Sequence, residues 1–337
     1  MTTARAAGFR MPPEWAPHAR TWMAWPCADY FDDLERARHA WAEVANTIAR
    51  YEPVTVVMNP NDVATARPAL IPPVEIIARV LDDAWLRDSG PTFVLDDDAR
   101  LGAIDWVFNG WGAQRWATWD HDAEMAEEII EHTDARRFES TMVNEGGAIH
   151  VDGDGIVLVT ETVQLDPGRN PGWSKSDVER ELMATIGTDR VIWLPRGLAA
   201  DYGEMGTRGH IDLLAAFVRP GVVVAHRQPD PTSPDHRVAE ENAAILAAAG
   251  LEVVMLTAPP PSDERGRPHD WSYVNFYVGN GFVVVGTFGD PAHDDAACAT
   301  LALLFPDRVV ERIDARPMFE CGGGIHCITQ QQPATSG

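Results

Sequence analysis

The segment "FECGGGIHCITQQQP", residues 319–333, places a histidine and a cysteine one residue after a run of three glycines. Cys327 is either one more buried thiol or a nucleophile that the glycines leave open to a substrate. The choice turns on which other polar residues can reach it. Three further stretches supply candidates. In "DDAWLRDSGP", 82–91, Asp82, Asp83, Arg87 and Asp88 crowd the end of an apolar run. That is a solvated turn with an Asp–Arg ion pair, or a ligand-facing loop of an α/β protein. "VNEGGAIHVDGDG", 143–155, sets Glu145 before two glycines, so backbone can approach a ligand beside a carboxylate. "RGHIDLLAAFVRPG", 208–221, holds His210 and Asp212 two residues apart. In an extended chain both would point to one face, at the mouth of a buried element. The pair reads as a structural histidine bound to an acid, as acid–base machinery, or as half of a metal site. No HExxH or similarly spaced partner accompanies it.

Three carboxylates and a histidine beside glycine-punctuated strand ends make a pocket for a delocalised cation. Carboxylates match the planar N–H edges of a guanidinium with paired hydrogen bonds. A positive substrate would favour a thiolate, and His210 would exchange protons with sulfur or with a leaving nitrogen.

The elements that must position these residues are short and apolar. Val- and Ile-rich runs at 54–58, 74–80, 155–160, 190–195, 221–226, 251–256 and 281–288, bounded by Gly, Pro and Asp, read as buried strands. Residues 33–50 form a helix with Leu34, Ala37, Trp41, Val44 and Ile48 on one stripe. "SKSDVERELMATIG" predicts a helix capped by Ser176 and Glu179 and stopped at Gly187, and a further helix starts at the cap Asp235 and ends before Gly250. Residues 272–288 predict a hairpin turning at Gly279, Asn280 and Gly281. The Pro-rich stretch 258–271 reads as a long loop. The class is α/β, but strand and helix do not alternate one to one. Several ββ steps per helix suggest repeated small mixed sheets rather than a doubly wound sheet or an eight-fold barrel. With no linker in view, residues 1–337 are expected to form one catalytic domain.

Acidic residues outnumber basic ones by 51 to 27, for a formal net charge of −24, which argues against a nucleic-acid binder or a basic membrane-surface protein. An acidic cleft would concentrate a small cation, though a solvated acidic surface gives the same total. No 18-residue apolar run and no apolar leader segment occur, so a cytoplasmic protein is expected. Cys27, Cys298, Cys321 and Cys327 have neither zinc-ligand nor CxxC spacing. "NGWGAQRW" lacks the GxGxxG spacing of a phosphate cradle.

With these segments in view, the chain resembles the agmatine deiminases of the guanidine-modifying superfamily. The likeness runs from "MPPEWAPHARTWMAWP" through "DDAWLRDSGPTFV", "EGGAIHVDGDG", "GRNPGWSK", "GHID", "SYVNFYVGNG" and "FGDP" to "GGGIHCITQQQP", about residues 11–333. It implies a pentein α/β-propeller of five ββαβ-type units around a pseudo-fivefold axis, with the site at its centre. It places the nucleophile on Cys327, the histidine on His210 and the guanidinium-binding carboxylates on Asp88, Glu145 and Asp212, with Trp85 of "WLRDSGP" against the substrate. It further implies a small cationic guanidino substrate, no cofactor or metal, and a homodimer. Cys321 is expected to be structural. One departure stands out. Where relatives resemble "GLYxDDTNGHVDN", this chain reads "GLAADYGEMGTRGHIDLL", with Arg208 two residues before His210. Arg208 is thereby a candidate for reading the far end of the substrate, and an arginine there would suit a carboxylate better than an ammonium.

Overall fold

The Val- and Ile-rich runs form strands because β-branched side chains fit a pleated surface buried from both sides. Val54–Met58 is buried at all five positions. The computed structural model describes residues 2–28, 30–260 and 269–335. Much of the 258–271 stretch, residues 261–268, lies outside the described residues.

Five small sheets carry the strands. Four have three strands each, built as an antiparallel pair whose second strand leads through a helix to a parallel third. One holds Thr92–Leu95, Leu101–Val107 and Arg136–Val143, the next His150–Val151, Ile156–Thr160 and Arg190–Leu194. The others hold Ala215–Arg219, Val222–Arg227 and Glu252–Thr257, then Tyr277–Gly279, Phe282–Thr287 and Val309–Asp314. Their crossover helices are Met125–Glu131, Lys175–Thr185, Pro234–Ala248 and Pro291–Leu304. The remaining sheet is closed by distant parts of the chain. His18–Ala24 runs parallel to Val54–Met58 across the helix Leu34–Ile48, and its antiparallel partner is Thr329–Pro333. This is the repeated ββαβ pattern of a pentein. A parallel step needs a crossover of a dozen or more residues while an antiparallel one needs a turn, so two strands per helix looked irregular along the sequence.

The helix Leu34–Ile48 buries Ala37, Trp41, Val44 and Ile48, with Asp33 as its N-cap. Burying each of the three large side chains is worth roughly 1.5–3 kcal/mol. The hairpin at 277–287 forms as expected. Two caps differ. The helix Lys175–Thr185 starts on a capping box of Ser174 and Asp177, not Ser176 and Glu179. Both pairs sit three apart, but only the earlier one precedes the first helical turn, where backbone N–H groups need acceptors. The helix Pro234–Ala248 is capped by Ser233 instead of Asp235, because Pro234 at its first position starts the helix two residues earlier.

Candidate active site

Short turns at the inner ends of the strands bring the polar candidates together. Asp88 lies on the helical turn Leu86–Ser89, buried, ahead of Gly90 and Pro91. Arg87 does not form the local ion pair that the sequence suggested. Its backbone N–H donates to the Cys327 carbonyl at 3.1 Å, Nε donates to the His326 carbonyl at 3.2 Å and Nη1 to Gln331 Oε1 at 2.8 Å. The turn is thus pinned to the segment that carries the thiol. The Asp88 carboxylate accepts the Gly147 N–H at 3.0 Å and Trp111 Nε1–H at 2.9 Å. Burial raises its pKa, against the opposing pull of His210.

His210 and Asp212 do share the site, but not through strand geometry. His210 caps a 3-10 turn, Ile211–Leu213, that contains Asp212. His210 Nδ1 lies 3.8 Å from Asp88 Oδ1 and Nε2 lies 3.4 Å from Glu145 Oε2. Burial works against a charged ring, but Asp88, Glu145 and Asp212 outweigh it and lift the imidazole to about 9. Asp201 prepares this turn by accepting hydrogen bonds from the N–H groups of Thr207 and Gly209, and Thr207 Oγ1 accepts the His210 N–H at 3.1 Å.

Glu145 follows the strand Arg136–Val143 and is fully buried. Arg169 answers its charge. Nε donates to both Glu145 oxygens, at 2.9 and 3.0 Å, while Nη1 donates to Asp166 Oδ2 at 2.8 Å. Burial would raise the Glu145 carboxyl, but Arg169 and His210 hold it down at about 2. Glu145 therefore arrives already neutralised, a partner for His210 more than an open seat for a substrate cation.

Cys327 Sγ sits 3.4 Å from Asp212 Oδ2 and 3.3 Å from Asn275 Nδ2. Burial first, then Asp212 and Asp88, push the thiol well above its usual range. With no cation in the pocket it is a thiol. Two glycines make the approach feasible. A Cβ on Gly323 would fall 2.8 Å from the Trp85 ring and 3.1 Å from Sγ. A Cβ on Gly147 would fall 2.6 Å from His210 Nδ1, 2.9 Å from Asp88 Oδ1 and 3.1 Å from Asp212 Oδ2. Three polar atoms, one from the Asp88 turn and two from the His210–Asp212 turn, thus surround one point on a third segment.

Trp85 packs edge-on against Trp41 and donates Nε1–H to Tyr30 Oη at 2.7 Å, which in turn donates to Asp83 at 2.7 Å. Arg208 is ion-paired at its guanidinium. Its Nη1 donates to Asp166 Oδ2 at 2.9 Å, the oxygen that also serves Arg169, from a left-handed backbone with φ of 71°. Cys321 lies outside the cluster, donates to the Pro317 carbonyl at 3.1 Å, and is raised to about 12 by burial and Glu320.

Sequence reasoning passed over Arg169, Asn275 and Trp111, although all lie in or beside quoted segments. A buried carboxylate demands a cation, which in a chain poor in Lys and Arg would have pointed to Arg169. Trp111 adopts φ 56° and ψ 44° within the glycine-rich turn Gly110–Ala113 and stacks on Trp116 at 5.2 Å. That turn delivers an indole N–H to Asp88.

Beside Gly322, Met205 and Gly206 opens a cavity of about 1020 Å³. None of the five candidate catalytic side chains lines it; it is a separate chamber, the vestibule, whose Gly322 edge lies near the Trp85 ring. Asp32, Asp33, Glu204, Asp270, Asp290 and Glu320 line its wall against Arg36 and Arg316. Deeper in, Glu14, His150 and His326 bring ligand-type atoms within 4.8 Å of one another. Both His326 nitrogens are already committed to carboxylates. We assign this group as a hydrogen-bonded acid–base cluster.

Residues 10–333 match the family model described as Porphyromonas-type peptidyl-arginine deiminase. A protein of Streptomyces coelicolor is 55% identical over 97% of this chain and 99% of its own length. The agmatine deiminase of Stutzerimonas stutzeri is 38% identical over 99% of this chain and 98% of its own. The solved structure of the Enterococcus faecalis agmatine deiminase superposes with a TM-score of 0.91 at 31% identity, covering 99% of this chain and 98% of that one. Neither the fold nor these likenesses leaves the assignment open: the chain belongs to the agmatine deiminase family, within the peptidylarginine-deiminase-like group of guanidino-modifying enzymes.

Proposed function

We propose that the protein, acting as one catalytic domain, hydrolyses the guanidinium of agmatine to N-carbamoylputrescine and ammonia through a covalent intermediate on Cys327. The observation that carries this reading is an unpartnered buried carboxylate oxygen in the cluster, Asp212 Oδ1. A buried acceptor without a donor is costly, and a guanidinium N–H relieves it.

Charge balance supports the same reading. Asp88, Glu145 and Asp212 face Arg169 and the His210 imidazolium, so one more cation makes room for one more anion. A bound guanidinium thereby favours the Cys327 thiolate that burial otherwise suppresses. Asp88 and Asp212 hold the N–H edges and set the carbon against Sγ. Sulfur attacks, the C–N bond breaks, and His210 gives its proton to the departing ammonia. The neutral ring then takes a proton from water attacking the thiouronium carbon. The C–S bond breaks, the thiolate returns, and the ureido product leaves as the released proton passes to ammonia. Glu145, held by Arg169, orients His210 through both steps.

Agmatine is preferred over carboxylate-bearing guanidino compounds for two reasons. Arg208 is charge-paired with Asp166, and the vestibule wall carries more acids than bases. Purified, chelator-treated protein should release ammonia from agmatine in preference to arginine, guanidinobutyrate and peptidyl-arginine. Silence on all four would sink the deiminase reading.

Arg208→Ala gives a sharper test of the substrate's far end. Arg208 is partly exposed and its ion pair is solvent-screened. The variant should keep kcat/KM for agmatine within a few-fold of wild type. A selective loss of activity on arginine or guanidinobutyrate, measured side by side, would instead make Arg208 a carboxylate reader.

A further inference from the structure

His326, next to the proposed nucleophile, has no part in the reaction as derived above, yet it is buried between two carboxylates. Nδ1 lies 2.8 Å from Asp212 Oδ2 and Nε2 lies 2.8 Å from Glu14 Oε2. A neutral imidazole has a single N–H. Donating to an ionised carboxylate on each side requires both nitrogens to be protonated. Glu14 is set up to be ionised: Oε1 accepts the Val278 N–H at 2.8 Å, and Arg87 Nη2 lies 3.9 Å from Oε2. The charged and titratable groups facing His326 are Asp212, Glu14, Arg87 and His150, and burial pushes His150 down to about 4, leaving it uncharged. Those facing Asp212 are His326, His210, Arg87, Cys327, Asp88, His150 and Asp270.

We propose that His326 is a positioning residue, an imidazolium clamped between Glu14 and Asp212. It occupies Asp212 Oδ2, leaves Oδ1 as the acceptor for the substrate's N–H, and keeps Asp212 ionised opposite Asp88. This rests on the deiminase reading. The geometry has a functional consequence because two carboxylates that share a pocket tend to hold one proton between them. A proton on Asp212 would remove the acceptor from the guanidinium. The His326 cation opposes that, and Glu14 keeps the cation in place from behind.

His326→Asn keeps an N–H for Asp212 and removes the charge. Its kcat/KM for agmatine should fall roughly 10–100-fold, the scale of a hydrogen bond to a charged group. Its pH profile should gain an acid limb at higher pH than wild type, since Asp212 loses the cation that holds its pKa down. Glu14→Gln should move the limb the same way by less, with His326 still present. Wild-type limbs in both variants, whatever their rates or melting temperatures, would reduce His326 to a structural residue and overturn the proposal. Histidine-selective 15N NMR of the full chain supplies a readout without turnover. The His326 ring should show two protonated nitrogens at neutral pH, and Glu14→Gln should lose that signature at lower pH than wild type. A singly protonated ring at neutral pH overturns the clamp. If wild type releases no ammonia while the NMR signature is present, the deiminase reading fails and the clamp stands.

Discussion

Cys327→Ala is expected to abolish ammonia release while leaving the protein folded. The loss should be on the order of 10⁶-fold, the scale found when a covalent nucleophile is removed from an enzyme. The side chain is small, and alanine at its place leaves Arg87, Asn275 and His326 bound to backbone and to one another. Cys321→Ala is the matched control. Its sulfur donates to a carbonyl four residues back, away from Asp88 and His210, and its turnover should stay near wild type. Rates for the two variants, with circular dichroism to verify folding, settle which sulfur does the chemistry. The reverse pattern would move the nucleophile to Cys321. Intact mass after rapid quench should show substrate carbon on Cys327 in wild type and nothing in the alanine variant.

His210→Gln should lower kcat by about 10²–10⁴-fold, the range for positioned proton transfer. In the proposed mechanism the ring serves two steps, and glutamine cannot take the proton in the second. The covalent adduct should therefore accumulate in the variant and be visible by quench mass spectrometry. The pH profile gives an independent check. His210 titrates near 9, lifted against burial by Asp88, Glu145 and Asp212. Below that pH it carries the proton that departing ammonia needs, and as pH rises through it the acid is lost. Wild-type kcat/KM, which reports the free enzyme, should fall on a basic limb near 9, and the glutamine variant should lack that limb. An unchanged limb, or full activity, would remove His210 from proton transfer.

How much of this could be read from the chain follows from the range of the interactions. The strands and the helix Leu34–Ile48 declare themselves in local apolar periodicity, and most bounds move by one or two residues. The five candidate residues Cys327, His210, Asp88, Glu145 and Asp212 were legible because each neighbours glycine, histidine or acid within its own short segment. Their partners were not. Arg169 meets Glu145 across 24 positions, Asn275 meets Cys327 across 52, and Trp111 meets Asp88 across 23. No periodicity records such a pairing, since it depends on how the five sheets face one another. Arg208 shows the same limit. Its place before His210 suggested a substrate contact, and nothing local announced its ion pair with Asp166, 42 positions away.

The strand Thr329–Pro333, paired with His18–Ala24, begins two residues after Cys327. The proposed nucleophile is therefore tethered to the seam where the ring is fastened shut. The four three-stranded sheets, built from residues 92–314, need neither terminal strand, but none of them carries the Cys327 sulfur. Thr329–Pro333 must dock beside His18–Ala24 before the proposed chemistry can exist. On the proposed mechanism, fragments that end before Cys327 carry the acids and the imidazole without the nucleophile and would not consume guanidino compounds. If Cys327 is the nucleophile as proposed, an assay for ammonia doubles as an assay for closure of that seam.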